Sequence, residues 1–78
     1  MTTTSTLLVR PAQAADSRMV MRLAALDGAV PPAGEVLLAE VDGEAVAALA
    51  PASGQVVADP FRQTAAVVRA LTAVAAAR

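Results

Sequence analysis

The chain has 78 residues, 56% of them apolar, and its six arginines and seven carboxylates leave a formal net charge of −1. Lysine, histidine, cysteine, tyrosine and tryptophan are absent and Phe61 is the one aromatic residue, which excludes disulfides, thiolate nucleophiles, the usual zinc ligands and any side chain that titrates near neutrality unperturbed. The balanced charge offers no electrostatic footprint to nucleic acid or to anionic lipid, so neither is expected as a partner.

The Thr/Ser-rich residues 1–5 read as a flexible tail, and residues 6–78 as one domain. Thr6 to Arg10 reads as a short strand stopped by Pro11, which lacks an N–H for the ladder. In the segment that follows, Met19, Leu23 and Leu26 recur at helical spacing with Val20 beside them, so a helix is predicted over Asp16 to Asp27. Asp16 is the expected N-cap and Gly28 the expected stop. Gly28 to Gly34 carries the glycine and proline punctuation of a loop.

Two apolar runs then flank Asp42-Gly43, a dipeptide suited to a type I′ turn because both central residues must take positive φ. A two-residue hairpin there pairs Val41 with Glu44, Ala39 with Val46 and Leu37 with Ala48, and places Leu38 with Ala47 and Val36 with Leu49 on the other side. Both faces of this hairpin are apolar, so both require cover. Pro51 to Gly54 reads as a second turn and Gln55 to Ala58 as a third strand of the meander. Asp59 is the expected cap of a final helix with Pro60 in its first turn, and Phe61, Ala65, Val68, Leu71 and Ala75 form its expected stripe. That helix is apolar nearly all round, with Arg62 and Arg69 marking a polar side, so more than one neighbour is expected to bury it. The fold class is therefore α+β: a small, mostly antiparallel sheet in the order β-α-β-β-β-α.

A domain of this size buries only roughly 60–65% of the surface its unfolded chain exposes, so its own stability is modest. Any general acid or base must come from Asp16, Asp27, Glu35, Glu40, Asp42, Glu44 or Asp59. Glu40, Asp42 and Glu44 gather at the hairpin tip, but no loop converges their oxygens, so no metal site is expected. The first residues lack the basic start and long apolar run of a secretory signal, and no uncharged apolar window is long enough to span a bilayer. A cytoplasmic protein is expected.

The opening "LLVRPAQAAD", with Val9, Arg10, Ala12 and Asp16 in place, resembles the strand I/V-R-x-A-x-x-x-D that begins many GCN5-related N-acetyltransferases. The hairpin "LLAEVDGEAVAAL" is similar to the hairpin in that family's central sheet, and the resemblance runs from Leu7 to Leu71. It implies a fold like the N-terminal half of an acetyltransferase, with acetyl-CoA held at the start of the last helix by backbone N–H groups in a V-x-P-x-x-R-x-x-G-x-G pattern. Val57, Pro60 and Arg62 fit the flanks of that pattern, with the spacing from Pro60 to Arg62 one residue short, whereas Ala65 and Val67 stand where the two glycines would be if Arg62 is aligned to the family's arginine. The weak cofactor candidates are thus Asp59, Phe61, Arg62 and Ala65, in a degenerate motif expected to hold no cofactor. The family's tyrosine acid has no counterpart, and the glutamate base has none among Gln55, Val56, Val57 and Ala58, so no catalytic residue is assigned.

The expectation is a truncated, non-catalytic acetyltransferase-like domain that acts through protein association, as a homo-oligomer or as a subunit of a complex. Its contact would form along the Gln55 to Ala58 strand, where the family's next strand would lie. The alternative is a minimal acetyl-CoA-dependent N-acetyltransferase completed by another subunit.

Overall fold

Asp42 and Gly43 have φ of 53° and 83°, so the hairpin turn is the left-handed pair that the Asp-Gly dipeptide favours. Around it the computed structural model, which describes residues 6–77, builds a four-stranded sheet in the order β1-β2-β3-β4, antiparallel throughout. The elements are β1 (Leu7–Pro11), α1 (Ser17–Leu26), β2 (Leu37–Val41), β3 (Glu44–Ala50), β4 (Gln55–Ala58) and α2 (Ala65–Ala76). A single 3₁₀ turn, Ala14–Asp16, leads into α1. This is the α+β fold expected from the pattern. The tail expected at residues 1–5 lies outside the described residues.

β3 is the centre of the molecule. Ala45 to Ala50 are six consecutive buried residues, and such a strand needs cover on both faces. α1 supplies it on one side, packing on β3 and β4; α2 supplies it on the other, packing on β3, β2 and β1. Two cores result. Val20, Leu23 and Ala24 meet Leu38, Ala48 and Val57 under α1, and Val67 and Leu71 meet Leu37, Ala39, Val46 and Leu49 under α2.

The hairpin register departs from the simple expectation beyond its tip. Val41 pairs with Glu44 and Glu40 with Ala45, but a bulge then shifts the ladder so that Ala39, Leu38 and Leu37 face Ala47, Ala48 and Leu49. The extra residue is absorbed on β3, and Val46 and Ala47 both enter the core under α2. The gain is packing: two adjacent side chains fill the same face where strict alternation would supply one.

β1 also runs one residue further than expected, since Pro11 pairs with Leu37. The N–H of Ala12 donates to the Val36 C=O, so the groups of the even-numbered residues face β2 and Pro11 turns its missing donor outward, where an edge strand tolerates it. In α1 the buried residues are Val20, Leu23 and Ala24, while Met19 of the expected stripe is exposed. The fully buried Ala24 lets the helix approach a sheet lined with alanine.

The largest correction concerns α2, which begins at Ala65 with Thr64 at its N-cap, not at Asp59. The Asp59 Oδ1 accepts the Phe61 N–H at 2.9 Å, and the Arg62 N–H donates to the Asp59 C=O at 3.3 Å, closing a turn. β4 lies at one edge of the sheet, whereas α2 crosses β3, β2 and β1, so the chain needs an irregular connection to travel back before a helix can pack. The buried stripe is accordingly Val67 and Leu71, flanked by Val68 and Ala75, and Phe61 plays no part in it. Among the described residues the sheet is α2's only large neighbour, and Ala66, Ala73 and Val74 stay exposed.

Leu38 is fully buried between α1 and the sheet. Leu38→Ala should destabilise the fold by about 2–4 kcal/mol in urea denaturation, with the m-value unchanged.

Candidate functional site

The four candidate cofactor residues do not converge. Asp59 closes its own turn through the Phe61 N–H. Arg62 leaves that turn toward the hairpin tip, where its Nη1 donates to the Glu44 carboxylate at 2.7 Å. Phe61 is 83% exposed, and Ala65 is the first residue of α2 and also exposed. Thr64 provides no side-chain cap, so the first N–H groups of α2 face the connection without a side-chain acceptor. The glycines of a phosphate-cradling loop are replaced by residues in the helix itself, and Val67 points into the core instead of toward a ligand.

The remaining carboxylates are engaged in structure. Asp42 Oδ1 accepts the Thr6 N–H at 2.8 Å, which ties the start of β1 to the hairpin turn. Asp27 follows α1 on the same face as Val20 and Ala24, and its Oδ2 accepts the Ala58 N–H at 3.2 Å. That contact covers an outward donor of β4, so the edge expected to be open is partly blunted. The Gln55 amide donates to the Val30 C=O at 2.5 Å and holds the loop after α1 alongside the same strand.

The densest polar cluster lies on the part of the sheet that α1 leaves uncovered. Arg10 faces this side from β1, opposite Leu38. Its Nη1 and Nη2 donate to the two oxygens of Asp16 at 2.8 and 2.9 Å, a two-pronged pair, and its Nε donates to Glu40 Oε2 at 2.5 Å. The Gln13 N–H adds a fourth donor to this carboxylate cluster, reaching Asp16 Oδ2 at 2.7 Å. Asp16 stands at the N-cap position of α1 as expected, but its side chain closes the turn before the helix and makes no capping bond to the helix itself. Hydrogen bonds from Arg10, and after it Gln13, lower the Asp16 carboxyl from 3.8 to about 2. Bonds to Asp16 and then Glu40 raise the pKa of Arg10. A cationic group fixed by two carboxylates, all three turned to one another, is a clasp; it leaves neither a base nor a free charge for substrate. The Arg and Asp of the opening motif carried the signal for half of it, and the hairpin alternation that puts Glu40 beside them was the signal overlooked.

Two depressions stand out among the described residues. A cleft of about 380 Å³ lies between the start of α1 and the loop after it, with Gln13, Ser17, Val20, Met21, Pro31 and Pro32 on its walls. A second, of about 320 Å³, lies between the β3–β4 turn and the end of α2, walled by Leu49, Pro51, Val56, Thr72, Ala75 and Ala76. No ionisable side chain lines either one. The Ser17 hydroxyl in the first donates to the Ala14 C=O at 2.8 Å and has no base beside it. Among the described residues no group of three carboxylates is placed to hold a metal ion, and no helix is long and apolar enough to cross a membrane.

No protein-family model matches the chain, and no curated protein or solved structure matches it.

Because Asp16 is ionised more easily in the folded protein than at its ordinary 3.8, its contribution to stability is complete above that pH and is lost as pH falls toward about 2. Asp16→Asn should therefore unfold at lower temperature than the parent at neutral pH. Thermal melts from pH 7 downward should show the gap closing below pH 4.

Proposed function

We propose that this chain is a non-catalytic, acetyltransferase-like domain of the cytoplasm that works by associating with protein. The observation that carries the reading is the chemistry of the two depressions: neither is lined by an ionisable side chain that could move a proton or pair with a charged cofactor. Elsewhere the carboxylates of Asp16, Asp27, Glu40, Asp42, Glu44 and Asp59 are bonded into turns, edges and the Arg10 clasp. Large apolar side chains meanwhile stand in solvent, among them Phe61, Leu7, Leu8, Met21 and Val30. In a chain with one aromatic ring, leaving that ring out of the core supports a surface made for contact. The likeness to the acetyltransferase family rests on the Val9-Arg10-Ala12-Asp16 spacing, the Asp-Gly hairpin and the order of elements.

One observation favours the second reading, an acetyl-CoA-dependent N-acetyltransferase completed by another subunit. The N-terminus of α2 has no side-chain cap, and a helix end of this kind attracts phosphate. Against it, Arg62 is paired with Glu44, and Val67, buried in the helix, bars the close backbone approach that glycine would give.

Calorimetric titration with acetyl-CoA and with coenzyme A separates the two. No saturable heat is expected at ligand concentrations up to the millimolar range; micromolar binding that disappears in Arg62→Ala would establish the enzyme reading instead.

A further inference from the structure

The two edges of the sheet are built differently. Edge strands expose a row of unpaired N–H and C=O groups, and proteins blunt them with charge, bulges or cover. At β4 the Ala58 N–H is covered by Asp27, and the loop after α1 is held alongside through Gln55. Among the described residues β1 carries only Pro11, at its far end, and nothing covers the edge from Leu7 to Val9. Its even-numbered residues bond β2, as the Asp42 N–H to Thr6 C=O and Ala12 N–H to Val36 C=O bonds fix, so the N–H and C=O groups of Leu7 and Val9 point away from the sheet. No further strand lies beyond them among the described residues. Leu7 and Leu8 project to opposite faces and are 44% and 51% exposed, and the strand's one charge, Arg10, is held by Asp16 and Glu40. Leu7 to Val9 are apolar on both faces, with the composition of a sheet interior and the position of an edge.

Resting on the association reading above, we infer that the occupant of this edge is a second copy of the chain, joined β1 to β1 about a two-fold axis at Leu8 into a continuous eight-stranded sheet. The strand is complementary to itself with Leu8 on the axis. With Leu8 opposite Leu8 of the second copy, Leu7 of each copy lies opposite Val9 of the other, and the outward N–H and C=O groups of both residues are consumed in four hydrogen bonds. Moving the axis to Val9 would set Leu7 against Pro11, which has no N–H to return. In the favoured register Arg10 lies opposite Thr6, so no like charges meet. On one face Leu8 covers Leu8, and on the other Leu7 covers Val9, which already packs against the core under α2. A strip whose outward Leu7 and Val9 groups pair with their own copies points to another copy, in preference to a partner of unlike sequence.

Because residue 8 faces itself, the arrangement predicts a pattern no other surface gives. Sedimentation equilibrium of the full chain at micromolar concentration should return twice the 7.8 kDa of one chain. Leu8→Lys and Leu8→Glu should each weaken self-association about tenfold or more, through lost apolar cover and like charges in opposition. An equimolar mixture of the two should recover a heterodimer, with far-UV circular dichroism unchanged throughout. Leu8→Thr keeps strand propensity and carries the same test, with a smaller loss, should the charged variants not fold. Dimers that persist in both charged variants, or a mixture that stays monomeric, would overturn the β1 assignment. A monomeric parent chain would overturn the second-copy inference alone; the association reading answers separately to coenzyme A calorimetry.

Discussion

Everything in this structure depends on one strand being thin. β3 is buried on both faces from Ala45 to Ala50, and four of those six residues are alanine. Small side chains on the central strand allow α1 and α2 to sit close on either side, and both faces of the strand are buried. The same thinness sets the chain's weakness. Little apolar area is removed from water per residue, and an enlarged side chain on β3 would displace a helix, because neither face has slack to absorb it. The few large fully buried residues, Leu37, Leu38 and Leu71 among them, therefore carry a disproportionate part of the stability.

Two helices cannot cover both faces of four strands completely, and the protein handles the shortfall with charge. α1 lies over β3 and β4, so the other half of that face is closed by Arg10, Asp16 and Glu40. Exposed single ion pairs contribute little, but a two-pronged guanidinium–carboxylate pair with a third partner has fixed geometry and joins β1, β2 and the entry to α1 at one point. A motif that looks like part of an enzyme's opening strand thus has a structural task that is complete in itself. Its charged residues need no substrate to account for their spacing.

The parts of the fold legible in the sequence were those set by local conformation. Asp42-Gly43 specifies its turn because few other dipeptides take positive φ twice, and every strand followed from the punctuation around it. The parts that were not legible share one cause, an excess of apolar choices. A run such as Ala45-Val46-Ala47-Ala48-Leu49-Ala50 looks the same to the core after a one-residue shift, so alternation could not reveal the bulge. In α1, residue size favoured Met19 in the stripe, whereas the stripe with Ala24 on the sheet is the one buried. Asp59-Pro60 failed for a different reason: an aspartate whose carboxylate accepts an N–H two residues on begins a turn and a helix alike, and only the distance from β4 to α2 decides between them. For the candidate site, residue types were readable and their engagement was not, since Arg62 with Glu44 and Asp27 with Ala58 are contacts across the fold.

The bulge at Val46 has a mechanical side. On the turn side of it β2 and β3 are in one phase, and on the far side they are offset by one residue. A uniform hairpin of alanine and valine could creep past itself one notch at a time, trading one acceptable pairing for the next. Here any such step would carry the kink away from the spot where Val46 and Ala47 sit together under α2, so sliding is jammed. The meander is left with two options, intact or fully parted, and a sheet of nearly interchangeable side chains acquires a single alignment.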